Sequence, residues 1–487
     1  MCRVSLSFRE DVRFSIERMR VSVMSNEIET QQETKQWGSR FGYIMVAAGA
    51  AVGLGNIWKF PYLAYNNGGG AFMIGFIVCA ILLAYPMVKI ETAIGRAGRG
   101  DTVGCYKRLV PKTGFIGWVA TICTMLINFF YVVVGGWVLK YAVTFIVSGS
   151  FEPDALSYFT AFTTSPVEPI IWAFILLAGV SVMLLFGITN IVEKAVKVIM
   201  PCLVIFLIGC GIWALFVIDG AVEGLKFYFI PDFSNFTFTT FAACATQTLF
   251  SVGIGWGIFT TLGANVPKSN NIKADSAMIV ACDVFVAILA GFVVIPSAFA
   301  SGTDFQAGPR LVFEIMTGVF GTLPGGRVIG SFFFVALLFA VISSLFTFFE
   351  IPMRVFEQEL GLGRKKGVAV VALIILVGNI FVSLGFGPLS EIINLPWPNF
   401  QGLEHYGLYD WIDCFTAYIL LPLGVVFEAM FIWKAWKFVR YEKEMTNDGE
   451  LKPMSKLEKF DVVVICPLMM VIVFLYVFGF ISYTAIG

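Results

Sequence analysis

Gly49-Ala50-Ala51-Val52-Gly53-Leu54-Gly55-Asn56 lies inside an apolar run covering roughly residues 41–64. A run of that length suits an α-helix crossing a hydrocarbon core of about 30 Å, which takes about 20 residues. Yet it holds three glycines within seven residues, and each costs about 1 kcal/mol relative to alanine in a helix interior. Such a segment invites local unwinding, and unwound backbone at membrane depth is tolerated only where it is buried in protein or lines a cavity. The competing reading is that the glycines let neighbouring helices pack closely. A second stretch, Ser251-Val252-Gly253-Ile254-Gly255-Trp256-Gly257, repeats the pattern within residues 238–263. One cluster alone favours close packing. Two clusters, in the first and sixth spans of two five-span halves, fit an inverted repeat whose paired broken helices hold a substrate.

The rest of the chain supports a membrane reading. Of 487 residues, 58% are hydrophobic and only 14% charged, with mean hydropathy +0.84; soluble domains carry about 25% charge. A string of soluble domains and a disordered chain are both excluded. Reading for apolar runs gives eleven spans: 41–64, 71–95, 114–147, 170–185, 191–217, 238–263, 276–301, 328–356, 368–384, 408–436 and 460–485. Lys+Arg and Asp+Glu balance at 33 each, so no bulk charge draws the chain to nucleic acid. The charges are sorted, however. Arg96, Arg99, Lys107, Arg108 and Lys112 share one loop; Lys268 and Lys273, Arg364-Lys365-Lys366, and 434–459 are basic too. Alternate loops carry Glu152, Asp154, Glu168, Asp219, Asp232, Asp304, Glu391 and Glu404. The positive-inside rule then predicts a multi-pass protein of the cell membrane with a cytoplasmic N-terminus. Residues 1–36 are polar, lack the apolar core of a secretory signal and read as a cytoplasmic tail, with Met24 as an alternative start.

Ten scattered cysteines, no CxxC pair and a single histidine, His405, argue against a disulfide framework and a Cys/His metal site. Oxygen donors cluster instead. Ala340, Ser343 and Ser344 stand at i, i+3 and i+4 on one helix face, and Asn56 and Ser251 end the two glycine stretches. Each alone is an ordinary helix residue bonding to its own turn. Together, beside unwound carbonyls able to replace a hydration shell, they suggest sites for sodium.

At Trp37-Gly38-Ser39-Arg40, Val52-Gly53-Leu54-Gly55-Asn56-Ile57-Trp58-Lys59-Phe60-Pro61, Asn67-Gly68-Gly69-Gly70-Ala71-Phe72, Glu91…Gly95-Arg96 and Leu421-Pro422-Leu423-Gly424, the chain resembles the neurotransmitter:sodium symporter family, in particular its bacterial amino-acid branch. The resemblance covers nearly everything after residue 36. It implies an all-α polytopic membrane domain over 37–487, with inverted five-helix repeats at about 41–217 and 238–436, broken first and sixth spans, and an extra span at about 460–485.

By the same resemblance, one sodium ion would bind the carbonyls of Gly49, Val52 and Ala340 and the hydroxyls of Ser343 and Ser344. Ser343 stands where the family often has threonine. A second sodium ion would bind the Ala51 carbonyl, the Asn56 amide oxygen, Ser251 and Asp283. Many relatives have asparagine at position 283 and bind chloride to balance the sodium charge. Here Phe76 and Ala287 replace polar residues of that chloride site, although Gln247 and Ser251 remain. A carboxylate at 283, costing about 2.5–3.5 kcal/mol at membrane depth if it had no role, points to chloride independence.

Gly53 replaces the aspartate that pairs with amine substrates, which favours an amino acid whose carboxylate meets sodium and backbone N–H groups. The substrate set is then Ala51, Gly53, Gly55, Ile127, Tyr131, Phe250, Gly253, Trp256 and Phe348. Tyr131 matches the tyrosine that contacts the carboxylate; Ile127, Phe250, Trp256 and Phe348 form an apolar side-chain pocket of undetermined size. Lys59 and Asp413 match the outer gate pair, with lysine in place of the usual arginine. Trp37 matches an inner gate residue, but Thr34 and Gln358 replace its arginine–aspartate pair, leaving Lys35 with Glu357 or Glu359 as a substitute. Leu262 and Asn265 replace tyrosines near that gate. Glu91 and Glu428 resemble carboxyls that satisfy N–H groups freed at the breaks, and Glu350 joins the same polar interior in an open role.

Four functions compete. A sodium-coupled importer of a neutral, hydrophobic amino acid, or of another small zwitterion, uses every feature above, with the lipid bilayer as its setting and no obligate protein partner evident. An ion channel needs a continuous polar pore rather than closed sites. An enzyme needs a catalytic constellation, and no HExxH, CxxC or GxSxG-like element is present. A non-transporting amino-acid sensor on the same fold is opposed by the intact sodium ligands.

Overall fold

The structure is a computed structural model that describes residues 36–149, 151, 154–301, 310–399 and 402–477. The chain divides into Met1–Gln36 and Trp37–Gly487, and the account below concerns the second unit. Thr34, Lys35 and nearly all of the expected tail lie outside the described residues.

The first half runs α1 (Arg40–Ala51), α2 (Gly55–Asn66), α3 (Gly70–Gly98), α4 (Thr102–Leu109), α5 (Gly114–Val147), α6 (Ala155–Thr164), α7 (Glu168–Leu185), α8 (Glu193–Val217) and α9 (Ala221–Phe229). The second runs α10 (Phe238–Val252), α11 (Ile258–Gly263), α12 (Ile272–Ser301), α13 (Leu311–Thr322), α14 (Gly326–Gln358), α15 (Gly363–Leu384) and α16 (Leu408–Ala435). α17 (Phe438–Met445), α18 (Lys456–Phe460) and α19 (Cys466–Val477) follow. Among the described residues, eight helices are long and apolar enough to cross a membrane, and α1 with α2, bent by 56°, makes a ninth span. α10 with α11 forms the interrupted sixth span of the repeat, and α19 runs to the edge of the described residues. The fold is all-α and polytopic, as the apolar runs require.

Local chemistry sets the helix ends. The Ser39 side chain accepts from Gly42 N–H to cap α1, and Asp101 accepts from Val103 and Gly104 N–H to cap α4. α5 packs along α14, and α8 packs on α1, α12 and α14, so the middle of the bundle is helix on helix. One element had no signal in the apolar pattern: a two-stranded hairpin, Leu395–Asn399 with Gly402–Tyr406, between α15 and α16.

The two breaks have different physical causes. At the second, Gly253, Gly255 and Gly257 have φ of 73°, 82° and 75°, a left-handed region costly for other residues. At the first, Gly49, Gly53 and Gly55 are not left-handed, and α1 stops at an extended Val52 (φ −68°, ψ 106°). There the glycines serve close approach. A Cβ on Gly53 would stand 2.6 Å from the Tyr131 hydroxyl, and one on Gly55 2.8 Å from the Phe250 ring.

Candidate functional site

The expected hydroxyl and carbonyl ligands meet at the first break. Ser344 Oγ lies 3.2 Å from the Gly49 carbonyl and 3.0 Å from those of Val52 and Ala340, with one proton to donate among the three. Ser343 Oγ lies 3.0 Å from the Ala340 carbonyl. Both serines are fully buried. Stopping α1 at Val52 leaves its last carbonyls without intrahelical partners, and the α14 serine face supplies them. An all-oxygen, uncharged donor set suits a hard monovalent cation. Among the described residues no cluster of His, Cys, Asp or Glu could hold a metal ion.

A second group gathers at Asp283, which is fully buried on α12. Its Oδ1 accepts from Asn56 Nδ2 at 2.7 Å and its Oδ2 from the Ser251 hydroxyl at 2.9 Å. Asn56 Nδ2 also reaches Ser251 Oγ at 2.9 Å, and Asn56 Oδ1 accepts from Gly53 N–H at 3.0 Å. One amide thus ties the first break, the end of α10 and the buried carboxylate together. Ala51 ends α1 beside this group. Gln247 Nε2 donates to the Gly55 carbonyl at 3.0 Å, while the Phe76 ring meets Phe60 at a tilt, 4.8 Å between ring centroids.

Between the breaks stands an aromatic wall. Tyr131 and Phe348 have ring centroids 5.2 Å apart, Phe348 and Trp256 4.9 Å, and Trp256 and Phe250 5.7 Å. The Tyr131 hydroxyl accepts from Leu54 N–H at 3.2 Å, and Ile127 is buried one turn earlier on α5. Lys59 Nζ sits 4.1 Å above the Phe250 ring and 3.6 Å from Asp413 Oδ2. The same lysine and aspartate line a cavity of about 650 Å³ together with Trp58 and Asp410. Two residues that sequence reasoning missed hold the wall in place. Thr124 Oγ1 donates to the Trp256 carbonyl at 2.9 Å, and Asn128 Nδ2 to the Phe348 carbonyl at 2.9 Å. Their signal was available: a buried polar pair at i, i+4 on the helix that carries Ile127 and Tyr131.

Glu91 behaves as expected, its two oxygens accepting from Gly255 N–H at 2.6 Å and Phe259 N–H at 3.1 Å. Glu428 does not; its described partner is the Tyr106 hydroxyl at 3.1 Å rather than a freed N–H. Glu91→Ala is expected to cost about 1–3 kcal/mol for each N–H left buried and unpaired, read as a lower thermal-inactivation midpoint in detergent. Glu91→Gln, which keeps one acceptor oxygen, should lose about half as much. Equal midpoints for wild type and Glu91→Ala would remove this role.

At the opposite, basic end, Trp37 Nε1 donates to the Leu262 carbonyl at 3.1 Å and its backbone N–H to Asn265 at 3.3 Å. Glu193, unmarked in the sequence, accepts from Gly38 N–H at 3.0 Å and from Lys197 at 2.7 Å. Glu357 and Glu359 pair with Arg364 and Lys107, while Lys35, the other member of the suggested exchange, lies outside the described residues. Gln358 Oε1 accepts from Asp101 N–H at 2.9 Å. Glu350 finds its role here, between Arg354 at 2.9 Å and Arg364 at 2.8 Å.

This arrangement has counterparts among known proteins. The family model described as "Sodium:neurotransmitter symporter family" matches residues 34–151 and 165–487. The sodium-dependent transporter YhdH of Bacillus subtilis (strain 168) is 31% identical over 460 residues, covering 93% of this chain and 100% of that protein. The sodium-dependent dopamine transporter of Bos taurus is 26% identical over 458 residues, 78% of this chain and 64% of the relative. Among solved structures, the crystal structure of MhsT in complex with L-phenylalanine superposes with a TM-score of 0.82 at 31% identity, covering 91% of this chain and 100% of that one. With matched residues spanning both breaks, the serine face and the aromatic wall, the chain belongs to the sodium:neurotransmitter symporter family and is a sodium-dependent transporter rather than an enzyme.

Proposed function

We propose that this symporter couples inward sodium flow to uptake of a neutral, apolar amino acid. The observation that carries the reading is the pairing of Gly53, which has no side chain to meet an amine, with the Tyr131 hydroxyl and Leu54 N–H that converge above it at 3.2 Å. Those two groups receive a substrate carboxylate, and the aromatic wall receives an uncharged side chain. One sodium ion sits among Gly49, Val52, Ala340, Ser343 and Ser344. The other sits among Ala51, Asn56, Ser251 and Asp283, where the fixed charge of Asp283 takes the place of chloride.

Binding of sodium and substrate favours the closed outer gate of Lys59 and Asp413, and release follows opening at the Trp37 end. The sorted loop charges put the basic end, with the N-terminus, in the cytoplasm. MhsT was crystallised with phenylalanine, which supports an amino acid as cargo. The test is uptake of radiolabelled amino acids into proteoliposomes with and without an imposed inward sodium gradient. Accumulation of at least one neutral amino acid only with the gradient is expected; none for any of them overturns the reading.

A further inference from the structure

We infer that residues 437–461, the segment joining α16 to α19, form an ionic strap across the basic end, and that its release is a required step in opening that end. This rests on the transport reading above and adds a moving part to it.

Charge complementarity defines the strap. Its acids meet cations of the helical body: Glu444 takes Arg96 Nε at 2.6 Å and also Lys268, while Glu458 takes Lys89 at 3.6 Å and Lys273 at 3.5 Å. Arg96 goes on to the Asn447 amide oxygen at 2.9 Å and to the Asn270 carbonyl at 2.8 Å. Glu442 and Lys459, 2.8 Å apart, tie α17 to α18, so the strap holds together as one piece. Beneath it, the side chains of Arg96 and Lys89 are 0% and 1% exposed. A buried pair of this kind contributes little net stability, because the attraction is offset by the water both charges have lost. Lifting the strap returns that water, which lifting an apolar lid does not.

The backbone of the strap is also strained. Lys437, Asn447 and Asp448 have φ of 69°, 48° and 56°, a left-handed region that persists in non-glycine residues only where contacts enforce it. Arg96 is the contact that holds the Asn447 side chain. Relief of strain and rehydration of charge therefore favour the same second, lifted state.

Position makes release count for transport. Lys268 and Asn270 follow closely on Leu262 and Asn265, whose carbonyls Trp37 holds, so the strap and Trp37 grip one stretch of chain. At its other end the strap continues α16, which carries Asp413 and touches the second break: a Cβ on Gly424 would stand 2.7 Å from the Gly255 carbonyl oxygen. The arginine–aspartate pair that the resemblance places at the inner gate is replaced by Thr34 and Gln358. The strap supplies charged contacts at that end.

The test uses the reconstituted full chain, with whichever of tritiated alanine, leucine and phenylalanine the wild type accumulates as probe. Lys273 Nζ lies 3.4 Å from the Lys452 carbonyl, so a Lys273→Cys, Lys452→Cys variant can be bridged by a short bifunctional maleimide. Wild type treated identically controls for the native cysteines. The unlinked variant should transport; linking should cut uptake at least ten-fold while sodium-dependent binding of the probe in detergent stays within two-fold. Uptake by the linked protein at the unlinked rate overturns the inference. Loss of binding together with uptake also overturns it, since the strap would then have a structural part alone. Glu444→Gln loosens the strap without a cross-link and should raise the sodium concentration for half-maximal binding at least three-fold, by populating the open inner state. An unchanged sodium requirement overturns the strap's hold on that equilibrium. No sodium-dependent uptake of any neutral amino acid by the wild type sinks the transport reading, and this inference with it.

Discussion

Glu350→Ala is expected to destabilise the protein by about 3 kcal/mol, the low end of the cost of removing one partner from a buried ion pair. The Glu350 carboxylate is fully buried and takes Arg354 Nε at 2.9 Å and Arg364 Nη2 at 2.8 Å. Without it Arg354, whose side chain is 11% exposed, keeps its charge in a nearly dry site, while Arg364 at 24% can partly rehydrate. That difference sets the estimate at the low end. The loss should appear as a fall of several degrees in the thermal-inactivation midpoint. Glu350→Gln, which keeps an acceptor but not the charge, should fall between. A midpoint within about one degree of wild type would show that the pair contributes nothing net.

The two arginines also reach beyond Glu350. Arg354 donates to the Thr261 carbonyl at 3.2 Å, in the second half of the broken sixth span, and Arg364 to the Leu184 carbonyl at 2.6 Å, at the end of α7. One carboxylate therefore ties α11, α14, α15 and α7 together at the basic end. Trp37 pins the same region through the Leu262 carbonyl. The basic end is held by hydrogen bonds to helix termini and by this buried triad.

Legibility in the sequence followed the range of the interaction. Helices declared themselves by length and apolarity, because a span must satisfy its own backbone. The breaks were legible as glycine clusters, but their causes were not. Gly253 needs a left-handed φ, whereas Gly53 needs room for Tyr131, which lies 78 positions further along the chain. Ser343 and Ser344 were readable as a helix face, since i, i+3 and i+4 geometry is local. Arg96 was not readable as an anchor. It bonds Glu444 at 2.6 Å across 348 positions, and no periodicity carries that information. Glu428 was misassigned for a related reason: a buried acid signals a need for a partner without saying which. The Tyr106 hydroxyl reached it before any freed N–H did.

Asp283→Asn is expected to raise the sodium concentration for half-maximal uptake at least ten-fold and to make uptake respond to chloride. A unit charge about 4 Å from a cation is worth about 4 kcal/mol at an effective dielectric of 20, or about three decades in binding. Relief of the buried charge in the sodium-free protein takes back part of that, so ten-fold is a lower bound. The substitution keeps the shape of the site, since an amide oxygen can still accept from Asn56 Nδ2 or Ser251 Oγ, now 2.7 and 2.9 Å from the carboxylate oxygens. The response to chloride should be partial, because Gln247 is committed to the Gly55 carbonyl at 3.0 Å and Phe76 offers no hydroxyl. Uptake by the variant that matches wild type in both chloride and chloride-free buffer would show that the Asp283 charge does not replace an anion. Asp283→Glu separates the two explanations. Its charge is kept and its reach altered, so chloride independence should persist even where the rate falls.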